Sequence, residues 1–171
     1  MSKRPGAVTM KGNPLTLVGQ EVKVGDQAPA FTCLDNDLQP AGLKDYPGKI
    51  LVLSSVPSLD TPVCDLETRR FNSEAGKLGD RVQILTISMD LPFAQKRWCG
   101  AAGVTLVKTL SDHRDASFGM AYGLLIEELR LLARAVLLVD SQGTVRYLQL
   151  VKEISQEPDY QAVLDALAGL R

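Results

Sequence analysis

Three cysteines stand in this 171-residue chain, Cys33, Cys64 and Cys99, with a single histidine, His113. Cys64 has the setting that makes a thiol reactive. The continuously apolar run Ile50–Val56 reads as a buried strand. It leads into Pro57–Ser58–Leu59–Asp60–Thr61–Pro62–Val63–Cys64, and a helix is predicted over Pro62–Leu78. Thr61 suits the N-cap, and Pro62 suits the first helical position, where its missing N–H would be unpaired anyway. Cys64 then falls at N3, where a capping box would place a Glu and free backbone N–H groups welcome negative charge. A free thiol has a pKa near ~8.5, so only about 3% is thiolate at neutral pH. Lowering it by about 2.5 units raises that fraction roughly thirtyfold and requires about 3.4 kcal/mol of preference for the anion. A helix end supplies ~1 kcal/mol, so a nearby cation must supply much of the rest. Arg69 and Arg70, five and six residues further along the same helix, need not reach back. Arg134, just before the apolar run Ala135–Val139, reads from its position as an ordinary strand-end charge.

The other candidates carry blander readings. The helix predicted over Pro92–Ala102 has an apolar line of Leu91, Ala94, Trp98 and Ala101. Cys99 lies one step off that line, beside Gln95 and Lys96, and is expected to be more exposed than Cys64. Phe71, Ala75 and Leu78 follow Cys64 at spacings that turn the sulfur inward. Cys33, in a short strand Ala30–Leu34, reads as a core residue. His113 reads as a surface residue at the start of a helix over Arg114–Tyr122. One His and three scattered Cys without a C-x-x-C argue against zinc.

These residues must be positioned by alternating elements. Ala7–Met10 and Leu15–Val18 predict an N-terminal hairpin, with Pro14 at an edge or in the turn. Strands are predicted over Val82–Ser88 and Leu106–Leu110. Ala135–Asp140 and Thr144–Val151 predict a hairpin around Ser141–Gln142–Gly143. Pro158–Leu170 predicts a closing helix, and Gly123–Leu132 is ambiguous between helix, strand and loop. This order is α/β with a mixed sheet. The length suits one domain, 1–171, with residues 1–20 as the hairpin extension. Nineteen basic and 20 acidic residues nearly cancel, and no basic stripe or amphipathic helix points to nucleic acid or membrane. The early basic residues are not followed by an apolar signal region, so the expected location is cytoplasmic. In a reducing compartment, a disulfide here would be catalytic rather than structural.

Pro57-x-x-x-Thr61-x-x-Cys64 resembles the peroxidatic motif of the peroxiredoxins. With Ser88–Gly103 (SMDLPFAQKRWCGAAG) and Leu131–Asp140 (LLARAVLLVD), the chain resembles the atypical two-cysteine type, the bacterial thiol peroxidase subfamily, over nearly its whole length. The resemblance implies a thioredoxin-like fold with a mixed central sheet and an N-terminal β-hairpin extension. It implies that the Cys64 thiolate attacks a hydroperoxide and becomes a sulfenic acid. Thr61 would hold the peroxide, Pro57 would shield the sulfur, and Arg134 would be the missing cation. Cys99 would resolve the sulfenic acid as a Cys64–Cys99 disulfide, re-reduced by thioredoxin, in a homodimer with no cofactor. Closing that bond would require one of the two helices to unwind locally, because disulfide geometry holds Cα atoms within about 7 Å. A thiol–disulfide oxidoreductase, or a peroxide-sensing switch or binding module, are the competing readings. Thr61, standing where a C-x-x-C would have its first Cys, argues against the former.

Overall fold

The computed structural model describes residues 2–170; the outermost positions of the expected 1–171 span lie outside them. The chain opens with a hairpin of β1 (Lys3–Met10) and β2 (Asn13–Val18). Its turn is Lys11–Gly12, both at positive φ (50° and 82°), the backbone that a tight two-residue turn demands. Pro14 pairs with Thr9, whose N–H instead donates to the Lys152 carbonyl, so the proline costs no ladder bond there. Two short strands follow, β3 (Cys33–Leu34) and β4 (Pro40–Ala41), then β5 (Ile50–Ser55), buried at every residue. Helix α1 (Pro62–Leu78), strand β6 (Val82–Ser88) and helix α2 (Pro92–Ala102) have the predicted bounds. Next come β7 (Lys108–Ser111) and a short α3 (Ser117–Tyr122).

The helix expected from Arg114 starts three residues late because the buried Asp112 carboxylate accepts the N–H groups of Phe118 (2.9 Å) and Gly119 (2.8 Å). His113 is half-buried in the preceding turn. The ambiguous stretch contains two two-residue strands, β8 (Leu125–Ile126) and β9 (Leu131–Leu132), turned at Arg130 with φ 55°. Strands β10 (Ala135–Val139) and β11 (Val145–Leu150) form the expected hairpin. Helix α4 (Tyr160–Ala168) is capped by Asp159, whose carboxylate accepts the Ala162 N–H at 3.0 Å.

The central sheet has the order β11-β10-β5-β6-β7-β3-β4, and a smaller sheet the order β1-β2-β8-β9. The central sheet is mixed: β5, β6 and β7 run parallel, and β10 and β3 flank them antiparallel. Alternation along its strands divides the core. Ile50, Val52, Ile84, Val136 and Leu138 meet α1 and α4 through Phe71, Val163 and Leu167. Leu51, Leu53, Leu85, Ile87 and Leu137 meet α3 and the small sheet through Phe118, Leu17 and Ile126.

One face is the reverse of the expectation. In α2 the buried side chains are Pro92 and Gln95, while Leu91 and Phe93 stand more than half exposed and Ala94 and Ala101 face solvent. Gln95 turns in because polar groups inside need a donor: its Nε2 gives 2.9 Å hydrogen bonds to Ser88 Oγ and the Leu110 carbonyl. Cys99, four residues on, therefore shares the inward face rather than the polar edge.

Candidate active site

Strand β5 and helix α1 present Cys64. The strand ends at Ser55, buried Pro57 follows, and the loop 58–61 is anchored by Asp90. The Asp90 carboxylate accepts from Ser58 Oγ (2.7 Å), the Leu59 N–H (2.8 Å) and Ser88 Oγ (2.8 Å), tying the loop to the end of β6. Thr61 occupies the N-cap with extended backbone, but its hydroxyl caps nothing. It donates to the Ser58 carbonyl at 2.8 Å and remains exposed. The expected capping bond is thus replaced by a bond that stiffens the loop, and the first-turn N–H groups receive no side-chain cap from Thr61.

Cys64 is 0% exposed and packs with Val56, Leu59 and Trp98. Its carbonyl accepts the Thr68 hydroxyl at 2.8 Å. Arg134, itself 2% exposed, comes from the residue before β10 and donates from Nη2 to Cys64 Sγ at 3.2 Å. Its Nη1 donates to Glu67 Oε2 at 2.6 Å. Nε and Nη2 both reach the Ile154 carbonyl, at 3.1 and 2.9 Å. Arg69 and Arg70 are engaged elsewhere: Arg69 pairs with Asp65 and lies over Trp98, and Arg70 pairs with Glu74 and lies over Tyr160.

Sequence reasoning missed Glu67. It projects three residues after Cys64 on the very face that Phe71 marks as inward, so a charged residue there was the available signal. Its Oε1 accepts the Ser54 hydroxyl at 3.1 Å. Burial pushes its carboxyl up to about 7, against the pull of Arg134 and Ser54. Burial also works against the charge of Arg134, but Cys64 and Glu67 outweigh it and hold the guanidinium above its ordinary value. The site therefore has one buried cation facing two acidic side chains, a carboxyl and a thiol.

Cys99 lies apart from this cluster. It is half-buried, with Sγ 3.4 Å from Thr109 Oγ1, and Thr109 in turn donates to Asn36. It lines a cavity of about 430 Å³ with Asp35, Asp37, Asp45 and Lys108. Its neighbour Trp98, not Cys99 itself, touches the Cys64 cluster. Cys33 is 2% exposed and donates to Asp112 at 3.5 Å; burial first, then that carboxylate, drives its thiol far above the ordinary range. Among the described residues, no group of three or more His, Cys, Asp or Glu could hold a metal ion, and no helix is long and apolar enough to cross a membrane.

A buried thiol faced by a guanidinium at a helix start is suited to nucleophilic attack as an anion. Comparison with known proteins points the same way. The Redoxin family model matches residues 23–164. The thiol peroxidase of Halalkalibacterium halodurans is 58% identical over 160 residues, covering 94% of this chain and 96% of that protein. That of Bacillus subtilis is 58% identical over 163 residues, covering 95% and 97%. Among solved structures, a peroxiredoxin-like protein from Aquifex aeolicus superposes with a TM-score of 0.91 at 43% identity, covering 97% of this chain and 98% of that one.

Proposed function

The chain belongs to the redoxin family as one of its bacterial thiol peroxidases, enzymes of thiol-dependent peroxide reduction with a thioredoxin-like fold, and from that premise we propose a division of labour among its residues. The Cys64 thiolate attacks the terminal oxygen of a hydroperoxide. An S–O bond forms, the O–O bond breaks, and the departing alkoxide or hydroxide takes up a proton and leaves as alcohol or water. Arg134 stabilises first the sulfur anion and then the charge growing on the leaving oxygen. Thr61 and Pro57, at the mouth of the loop, hold the peroxide and keep bulk water from the sulfur. The observation that carries this reading is the 3.2 Å bond from Arg134 Nη2 to a fully buried sulfur. A guanidinium at that depth needs partners able to carry negative charge, and the sulfur and the Glu67 carboxyl are the two placed against it.

Cys99 completes the cycle. Its thiolate attacks the Cys64 sulfenic acid, an S–S bond forms, and hydroxide leaves and is protonated to water. A reduced dithiol, thioredoxin by class, then returns the two electrons. With Trp98 standing against Cys64 while Cys99 Sγ faces Thr109, ring closure calls for local unwinding. Helix α2 is the element to give, since it buries only Pro92 and Gln95. A homodimer in the cytoplasm is part of the same proposal. The test is mass spectrometry with stopped-flow turnover. Peroxide-treated wild type will show a Cys64–Cys99 linkage. Cys64→Ser will lose turnover altogether. Cys99→Ser will consume one equivalent of peroxide and then stall. Normal cycling of either variant with thioredoxin overturns the assignment.

A further inference from the structure

The setting of Arg134 depends on a part of the molecule remote from it in sequence. Both Nε and Nη2 donate to one oxygen, the Ile154 carbonyl, which therefore fixes the plane and pivot of the guanidinium. That carbonyl lies in the turn 152–155, which the N-terminal hairpin holds. The Thr9 N–H donates to the Lys152 carbonyl at 2.7 Å, and the Ile154 N–H donates to the Thr9 carbonyl at 2.9 Å. Glu153 closes this clasp. Its Oε1 accepts the Thr9 hydroxyl (3.0 Å) and the Gly12 N–H (2.9 Å). Its Oε2 accepts the Ser155 N–H (3.1 Å) and hydroxyl (2.6 Å). The Ser155 hydroxyl, then the Gly12 and Ser155 N–H groups, hold this carboxyl down at about 2, so it stays charged throughout the neutral range.

We propose that Glu153 is a positioning residue for the reactive sulfur: by clasping the 152–155 turn to the hairpin it fixes the Ile154 carbonyl, and through it the aim of Arg134 at Cys64. This rests on the reading of Cys64 and Arg134 given above. The route is Gly12 and Thr9 to Glu153, along the backbone to Ile154, then Arg134, then sulfur. Every link is a hydrogen bond of 3.2 Å or less or a covalent bond. A guanidinium whose pivot drifts by about 1 Å loses its hold on a sulfur it meets along a single N–H, and misplacement of that size costs up to about 100-fold in rate. The other ionisable groups facing this cluster are Glu67 from α1, Glu157 from the segment before α4 and Tyr160 at the start of α4, and they are left intact by changes at Glu153.

The test is the second-order rate of peroxide with the full, reduced chain from pH 5 to 9, for wild type, Glu153→Ala, Glu153→Gln and Arg134→Met. Glu153→Ala is expected to slow the reaction about tenfold at pH 7, to move the half-maximal pH upward, and to recover toward wild type at pH 9. Glu153→Gln, which keeps an acceptor for Thr9 and Gly12, is expected to restore most of the rate. A folded Glu153→Ala protein whose half-maximal pH is unmoved overturns the proposal, even if its thermal midpoint falls, because a merely structural clasp predicts only that. If the alanine variant does not fold, Thr9→Val and Ser155→Ala, each removing one hydroxyl donor, decide by the same criterion. Should Arg134→Met react as fast as wild type, it is the underlying reading of the site that fails, not the clasp alone.

Discussion

Cys64 is 0% exposed and Cys33 2% exposed, so burial alone would make both thiols inert. They part company over a single neighbour. Cys64 faces a guanidinium at 3.2 Å, and Cys33 faces a carboxylate at 3.5 Å. The first neighbour compensates an anion, and the second forbids one, holding the Cys33 proton in a hydrogen bond to Asp112. Burial is the larger part of what keeps the Cys33 proton in place, but depth is shared by both thiols and so cannot separate them; the sign of the adjacent charge does. Cys99 is intermediate, with only a hydroxyl beside it and a cavity lined by three aspartates. Such a setting suits a second nucleophile that acts after being carried to the first.

This contrast can be broken most forcefully at Arg134. Arg134→Met keeps the bulk of the side chain and removes the charge, leaving the Cys64 surroundings close to those of Cys33. The rate of reaction with peroxide at pH 7 is expected to fall by about 1000-fold, the scale of losing a donor aimed at developing charge. A rate within a factor of a few of wild type would falsify the claim that the neighbouring charge separates the two sulfurs.

Glu67 sharpens the comparison, because it competes with Cys64 for the same cation. Its folded pKa, about 7, lies above its ordinary value of 4.5. The fold therefore favours its protonated form. That contribution is complete below about pH 4.5 and is lost as pH rises through 7. Glu67→Gln cannot titrate, so its thermal stability should decline less than that of wild type between pH 5 and 8, by a margin on the order of 2 kcal/mol. With the guanidinium no longer shared, the half-maximal pH of the peroxide reaction should move downward. An upward move would mean that Glu67 aims Arg134 and does not compete with the sulfur.

The smallest effect belongs to Cys33. Cys33→Ala removes one buried atom and a weak donor to a carboxylate that keeps two backbone N–H partners. Stability should fall by about 1 kcal/mol in denaturant unfolding, with peroxide turnover unchanged. Loss of turnover would give Cys33 a part in the chemistry that its protonated setting denies it.

Much of this site could be read from the chain. The bounds of α1 follow from Pro62 at the first helical position and the glycine at 79, because such start and stop signals are local, even though the Thr61 hydroxyl makes no capping bond. The inward turn of Cys64 follows from helical spacing alone. Arg134 became a candidate only through resemblance, since 70 residues separate it from Cys64 and nothing local tells a site cation from a strand-end charge. The apolar line of helix α2 holds only at Trp98, because Leu91, Ala94 and Ala101 face solvent while Gln95 serves Ser88 and Leu110, whose need for a donor is visible only in three dimensions. Strands β8 and β9 are two residues each and exist by virtue of pairing, β8 with β2 and β9 with β8, so no periodicity could announce them. The clasp at Glu153 joins residues 141 positions apart, beyond the reach of any local pattern.

The same clasp bears on how the enzyme is made. Cys64 is synthesised before Arg134, and Arg134 before the carbonyl that seats it, in a turn held by the hairpin of β1 and β2. A polypeptide still growing on the ribosome therefore carries the sulfur without its guanidinium seat, and an isolated thiol of that kind is a slow target for oxidants. If the clasp aims the guanidinium as proposed, fast chemistry waits until the hairpin has met the 152–155 turn, so a half-made copy is spared the burns that its finished form is built to absorb.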